Sequence, residues 1–168
     1  MSRHNSESII DPNISALNWD HPNPFVIAIF AQQNDIDRYE HVNNSVYIRW
    51  LDECARENSR FVGINPDAAS KLGFGMAVRD SYVTYLASAH LGDELLVGTW
   101  ITKTDGRLRN TRQFQIIRKS DGTTLIRARL DYVCINIQSG KPCKMPELFR
   151  ENYISNTDLN MTYNFNHK

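Results

Sequence analysis

Residues 35 to 53 read Asp35-Ile36-Asp37-Arg38-Tyr39-Glu40-His41-Val42-Asn43-Asn44-Ser45-Val46-Tyr47-Ile48-Arg49-Trp50-Leu51-Asp52-Glu53, and inside this stretch the hydrophobic period changes. From Asn44 to about Phe61, the residues Val46, Tyr47, Trp50, Leu51, Cys54 and Phe61 recur at three- and four-residue spacings, while Arg49, Asp52, Glu53, Arg56, Glu57 and Arg60 fill the other side. That spacing predicts one long amphipathic helix. Asn43 or Asn44 is a good N-cap type, and Gly63-Ile64-Asn65-Pro66 stops the helix.

Outward from the helix the runs are strand-like. Upstream, Phe25 to Gln33 is rich in aromatic and β-branched residues and reads as a buried strand. Downstream, past a linker holding Gly73 and Gly75, four strand-like runs follow at about 76–86, 94–104, 109–119 and 123–136. The Asp105-Gly106 and Asp121-Gly122 pairs between them are hairpin signals. The last run alternates, with Ile126, Ala128, Leu130, Tyr132 and Cys134 on one face and Arg127, Arg129, Asp131 and Val133 on the other, so one face packs and the other stays wet. A lone apolar helix of this length must be covered by the apolar face of the sheet. The expectation is therefore an α+β domain, a five-stranded antiparallel sheet wrapped around one long central helix. The domain spans 23–154, between an N-terminal arm (1–22) and a C-terminal tail (155–168), both read as loose because they lack periodicity.

At 168 residues, with 41% hydrophobic and 23% charged side chains, the chain fits one soluble globular domain and excludes fibrous and wholly disordered classes. Nineteen basic residues balance nineteen acidic ones, so no net field draws it to nucleic acid or anionic lipid. The longest apolar run, Phe25 to Ala31, is far short of the ~20 residues a membrane helix needs. Cys54, Cys134 and Cys143 form no C-x-x-C pair, and MSRHNSESII lacks the apolar core of a signal peptide, which points to a reducing, cytoplasmic setting.

The loop before the helix carries an unusual density of chemistry: two aspartates, a histidine and two amides. Backbone N–H groups at a helix start lack intrahelical partners and sit at the positive end of its dipole, so they polarise a carbonyl or hold an oxyanion. A nearby carboxylate supplies the attack. No G-x-S-x-G elbow, phosphate-cradling glycine loop or metal-ligand spacing is present, and no metal or cofactor is expected. Cys54 lies on the apolar face as a packing residue.

The run D-x-D-x-x-x-H-V-N-N-x-x-Y at residues 35–47, followed by the acidic pair Asp52-Glu53, resembles the 4-hydroxybenzoyl-CoA thioesterase family of hotdog-fold acyl-thioester hydrolases. The resemblance covers roughly residues 25–137 and includes Tyr82-Val83-Thr84-Tyr85-Leu86 and Leu91-Gly92-Asp93-Glu94. It implies the hotdog fold, acyl-CoA or acyl carrier protein thioesters as substrates, coenzyme A as part of the substrate, and a homodimer often doubled to a tetramer. It further implies Asp37 as the catalytic carboxylate, the Asn44 N–H facing the thioester oxygen, and His41 and Asn43 orienting substrate or water. Glu53 on the helix is a second candidate carboxylate. Tyr47 and Trp50 are core or pocket wall. Glu40 departs from the family pattern, standing where many members have glycine.

Between Lys103 and Arg129 eight basic residues face two acidic ones. Such a cluster protects strand edges, or it receives the phosphates of coenzyme A, for which arginine has a matched fork. Arg107, Arg109 and Arg112 are the candidates for that contact. Two other classes compete with hydrolysis. A nucleic-acid-binding OB barrel would place its helix later in the chain, and a hotdog acyl-CoA binder or dehydratase would not need Asp37.

Overall fold

The computed structural model describes residues 12–155. The helix spans Asn44–Phe61 (α2), with Asn43 as N-cap, its Oδ1 accepting from Ser45 N at 2.9 Å. Val46, Tyr47, Trp50, Leu51 and Cys54 are buried, as the spacing requires. Phe61, assigned to the same stripe, is about half exposed at the helix end, where it packs against Phe25.

Five strands form one antiparallel sheet: β1 (Phe25–Phe30), β2 (Phe74–Tyr85), β3 (Glu94–Thr104), β4 (Arg109–Arg118) and β5 (Thr124–Asn136), in the order β1-β3-β4-β5-β2. The inner face, with Val97, Phe114, Ile116, Ala128 and Leu130, closes on the apolar stripe of α2 as one core. This is the expected helix wrapped in a sheet. β1 stops at Phe30, short of the expected Gln33, because a 3-10 turn (Gln33–Asp35) begins the loop.

Three short helices were not expected. Pro12–Ser15 (α1) begins a segment that packs on the outer face of the sheet. Trp19 covers Gly98 so closely that a Cβ there would lie 2.5 Å from its ring. Trp100 Nε1 donates to Pro22 O at 2.8 Å, and Asp20 forms a two-pronged pair with Arg127 at 2.7 and 2.8 Å. The part of the expected arm from residue 12 on is thus a docked cover, not a loose end. Pro66–Lys71 (α3) is capped by Asn65 and has Pro66 in its first turn, and Glu147–Asn152 (α4) seals the far end of the core through Phe149. Residues 1–11 of the arm, and the tail from 156 on, lie outside the described residues. No described helix is long and apolar enough to cross a membrane.

Candidate active site

The loop 36–42 is a small hairpin in its own right, closed by a bridge between Ile36 and Val42. Asp37 N donates to His41 O at 2.8 Å, and Glu40 N donates to Asp37 O at 3.0 Å. Asp37 Oδ1 accepts from Tyr39 N at 2.8 Å, an Asx turn that fixes the carboxylate on its backbone. Closing this loop demands a left-handed residue, and Glu40 supplies it with φ +61°. A glycine takes that conformation without the strain a β-carbon brings. Replacing Glu40 by Gly is expected to stabilise the fold by about 1 kcal/mol, the left-handed penalty less the extra freedom of the unfolded chain. Urea unfolding of the two proteins checks this, and a loss of stability would contradict it.

The two aspartates of the D-x-D motif have different work. Asp35 is buried, accepts from Gln32 N at 2.9 Å, and pairs with Arg49 from the helix. Its carbonyl also accepts from Asn43 N at 2.9 Å, so Asp35 sets where the helix begins. Asp37 is only half buried and faces an open cavity of about 520 Å³.

That cavity brings together Asp37, His41, Asn43, Asn44 and Tyr47, five of the residues singled out in the sequence. The opposite wall is Tyr85 to Ser88 at the end of β2. Loop and wall are stitched together: Val42 N donates to Ala89 O at 2.9 Å, Ala89 N to the Tyr47 hydroxyl oxygen at 2.8 Å, and the Tyr85 hydroxyl to Asn44 O at 3.3 Å. Burial pushes the Tyr47 hydroxyl above its ordinary pKa, so it holds Ala89 as a neutral phenol. The His41 ring stands edge-on to His90, centroids 5.0 Å apart. Asn43 is occupied as the cap, its Oδ1 accepting from both the N–H and the hydroxyl of Ser45. The Asn44 N–H, first in the helix, has no hydrogen-bond partner among the described residues. Tyr85 lacked any sequence signal as a site residue, because only the fold brings the end of β2 to the start of α2.

The remaining candidates lie elsewhere. Trp50 is buried in the core beside Tyr47 and does not line this cavity. Glu53 is exposed and does not line it either. Arg112 separates from Arg107 and Arg109. Its side chain is 3% exposed on the inner face, donating to Asn58 Oδ1 at 2.6 Å, and so it is not part of an outer rim. Arg107 and Arg109 are exposed on the β3–β4 hairpin, where Asp105 Oδ1 accepts from the N–H groups of Arg107, Leu108 and Arg109 at 2.9, 2.7 and 2.8 Å. Ile116 is level with Ile126 and Tyr85 across the sheet, and Arg109 lies seven residues back along β4. Strand geometry makes that about 23 Å from the cavity end of the sheet. The rest of the basic cluster is largely matched by acids, three of them distant in sequence: Arg118 pairs with Asp93, Lys119 with Glu94 and Arg127 with Asp20, while Asp121 and Asp131 are near neighbours of their partners Arg118 and Arg129.

A profile of the thioesterase-like superfamily matches residues 31–153. The chain belongs to that superfamily. The match begins one strand into the fold and takes in the loop, α2, every later strand and α4. Solved structures agree on the fold. A 1,4-dihydroxy-2-naphthoyl-CoA thioesterase from Synechocystis is 20% identical and superposes with a TM-score of 0.73 over 83% of this chain and 100% of its own. A DHNA-CoA thioesterase from Staphylococcus aureus is 21% identical, with a TM-score of 0.68 over 72% of this chain and 80% of its own. A hypothetical protein from Staphylococcus aureus in complex with CoA is 18% identical, with a TM-score of 0.73 over 87% of this chain and 92% of its own. Within the thioesterase-like superfamily, then, this member has the hotdog fold and the motif 35–47 at the mouth of a cavity.

Proposed function

We propose that the protein hydrolyses acyl-CoA thioesters to the free acid and the free thiol. The observation that carries this reading is one cavity lined both by a half-buried carboxylate, Asp37, and by Asn44, the first residue of a long helix, whose N–H has no partner among the described residues. The thioester carbonyl sits with its oxygen toward that N–H, and the helix dipole stabilises the charge that develops there. Asp37 attacks the carbonyl carbon or takes the proton of a water that does. The C–S bond breaks, the thiol leaves with a proton, and water supplies the second oxygen of the acid. His41 at the mouth orients substrate or water, and Asn43 serves by fixing the helix start. Membership of a thioesterase-like superfamily and likeness to proteins named as CoA thioesterases support the choice of substrate. Thiol release across acyl-CoAs of varied chain length and aromaticity tests it. Formation of an enoyl or hydroxyacyl product that keeps the thioester would instead identify a dehydratase.

The working unit in this reading is a homodimer, alone or doubled to a tetramer. β2 is an edge of the sheet, and Val78, Tyr82 and Tyr85 stand exposed along it. An apolar edge of this length invites a second copy to pair with it, giving a continuous ten-stranded sheet. Light scattering is expected to report at least twice the 19.4 kDa chain mass; a compact monomer at working concentration contradicts it.

Two-fold pairing of β2 edges runs the strands antiparallel, so the cavity end of one sheet meets the hairpin end of the other. Arg107 and Arg109, which share a groove with Lys144, are then available to the nucleotide of a substrate bound at the other copy's Asp37. Replacing both arginines by alanine is expected to raise KM for an acyl-CoA about tenfold and leave kcat on a pantetheine thioester unchanged. Equal losses on both substrates would overturn the assignment.

A further inference from the structure

A second cavity, of about 290 Å³, lies between the C-terminal half of α2, α3, the start of β2 and the inner face of β4 and β5. That is the small end of the ~300–1,000 Å³ range of ligand pockets. Its apolar walls include Ile64, Phe74, Met76 and Phe149. Its remaining wall is polar, because Asn110 and Arg112 alternate inward on β4 and Tyr132 is the cross-strand partner of Asn110 on β5.

Three features of that wall are unmet. Arg112 is buried, with Asn58 Oδ1 at 2.6 Å and the Tyr153 ring centroid 5.5 Å from its guanidinium carbon. The two carboxylates bordering the cavity, Asp52 and Asp67, pair with Arg56 and Arg60 instead. A guanidinium does not shed its proton, so its burial calls for a counter-charge. Asn110 Oδ1 and the Tyr132 hydroxyl are both buried without a hydrogen-bond partner among the described residues, and folded proteins leave few such atoms. Burial pushes the Tyr132 hydroxyl up to about 12, which keeps it a neutral donor at physiological pH.

A fixed cation and a neutral donor, grouped with an unpartnered acceptor in a cavity that also has apolar walls, complement a small carboxylate with an apolar body. We propose that this cavity binds a small organic carboxylate, its anionic head held by Arg112 and Tyr132 and its body lying against Ile64, Phe74, Met76 and Phe149. Asn110 Oδ1 accepts from a hydroxyl or water beside the head. The carboxylate has two possible sources. One is a free acid. The other is the far end of an acyl chain whose thioester lies at Asp37 of a second copy, since antiparallel β2 pairing sets this cavity beside that site; this source rests on the thioesterase dimer.

Calorimetry on the full chain with hexanoate and hexanol separates head from body. Hexanoate is expected to bind at least ten times more tightly than hexanol. Tyr132→Phe removes one unpartnered O–H, so the urea midpoint is expected to hold while hexanoate binds about tenfold more weakly. Arg112→Met is expected to abolish binding, and if it does not fold, Tyr132→Phe alone decides. Equal binding of hexanoate and hexanol, or of hexanoate to wild type and Tyr132→Phe, overturns the site. Turnover of adipoyl-CoA against hexanoyl-CoA then finds the source. A preference for adipoyl-CoA that Tyr132→Phe erases assigns the head to the substrate, whereas equal kcat/KM with hexanoate still bound assigns it to a free acid, and both uphold the site. If neither thioester is hydrolysed, the thioesterase reading fails, and the calorimetry still decides the cavity.

Discussion

Asp37→Asn is expected to lower kcat for acyl-CoA hydrolysis by on the order of 10²–10⁴, with KM little changed. The substitution is well isolated by the local geometry. An asparagine Oδ1 still accepts from Tyr39 N, so the Asx turn and the loop hydrogen bonds at His41 and Glu40 survive. What is lost is the negative charge that attacks the carbonyl or takes a proton, a role exerted in the transition state. A variant that retains more than about a tenth of wild-type kcat would reduce Asp37 to a turn residue. His41, at the same cavity, would then be next in line.

The second large effect falls on stability. Trp50 is 3% exposed, sits in the shared core of helix and sheet, and meets Tyr47 edge-on with centroids 5.4 Å apart. Trp50→Ala is expected to cost about 3–5 kcal/mol, from lost burial plus the void left in a close-packed interior. Urea denaturation measures it directly. A loss below about 1 kcal/mol joined to a changed KM would return Trp50 to the pocket wall.

How far the sequence foretells this structure varies by element. The helix 44–61 is legible because two independent signals coincide there: an apolar period of between three and four, and an asparagine cap with a glycine stop. The four later strands are legible because each is at least 10 residues long and bounded by turn residues, and β1 because its 6 residues are an unbroken apolar run. α3 and α4 are six residues each, too short for a hydrophobic period to show, and Asn65-Pro66, read as part of the stop of one helix, starts the next. The docking of residues 14–22 depends on Trp19 finding Gly98, a contact with no local signature.

The site divides in the same way. The motif 35–47 is contiguous, and its residues converge because one short hairpin and one helix start hold them. It does not reveal that Asp35 faces Arg49 while Asp37 faces the cavity. The basic cluster misleads for two physical reasons. Charge counted along the chain ignores acids brought in by folding, such as Asp20 on Arg127. In a strand, positions three apart face opposite sides, so Arg109 and Arg112 cannot share a rim. That second point was available from the strand period alone, and it is what turns Arg112 from a surface candidate into the centre of the second cavity.

A single turnover with enzyme in excess over an acyl-CoA that it binds, following free thiol and free acid together, tests hydrolysis at Asp37 most directly. All bound acyl-CoA is expected to be converted, thiol and acid appearing in equal amounts, and Asp37→Asn at the same occupancy is expected to convert it at least a hundred times more slowly. Acyl-CoA recovered intact from a saturated wild-type complex would contradict it, and would make the protein a binder rather than a hydrolase.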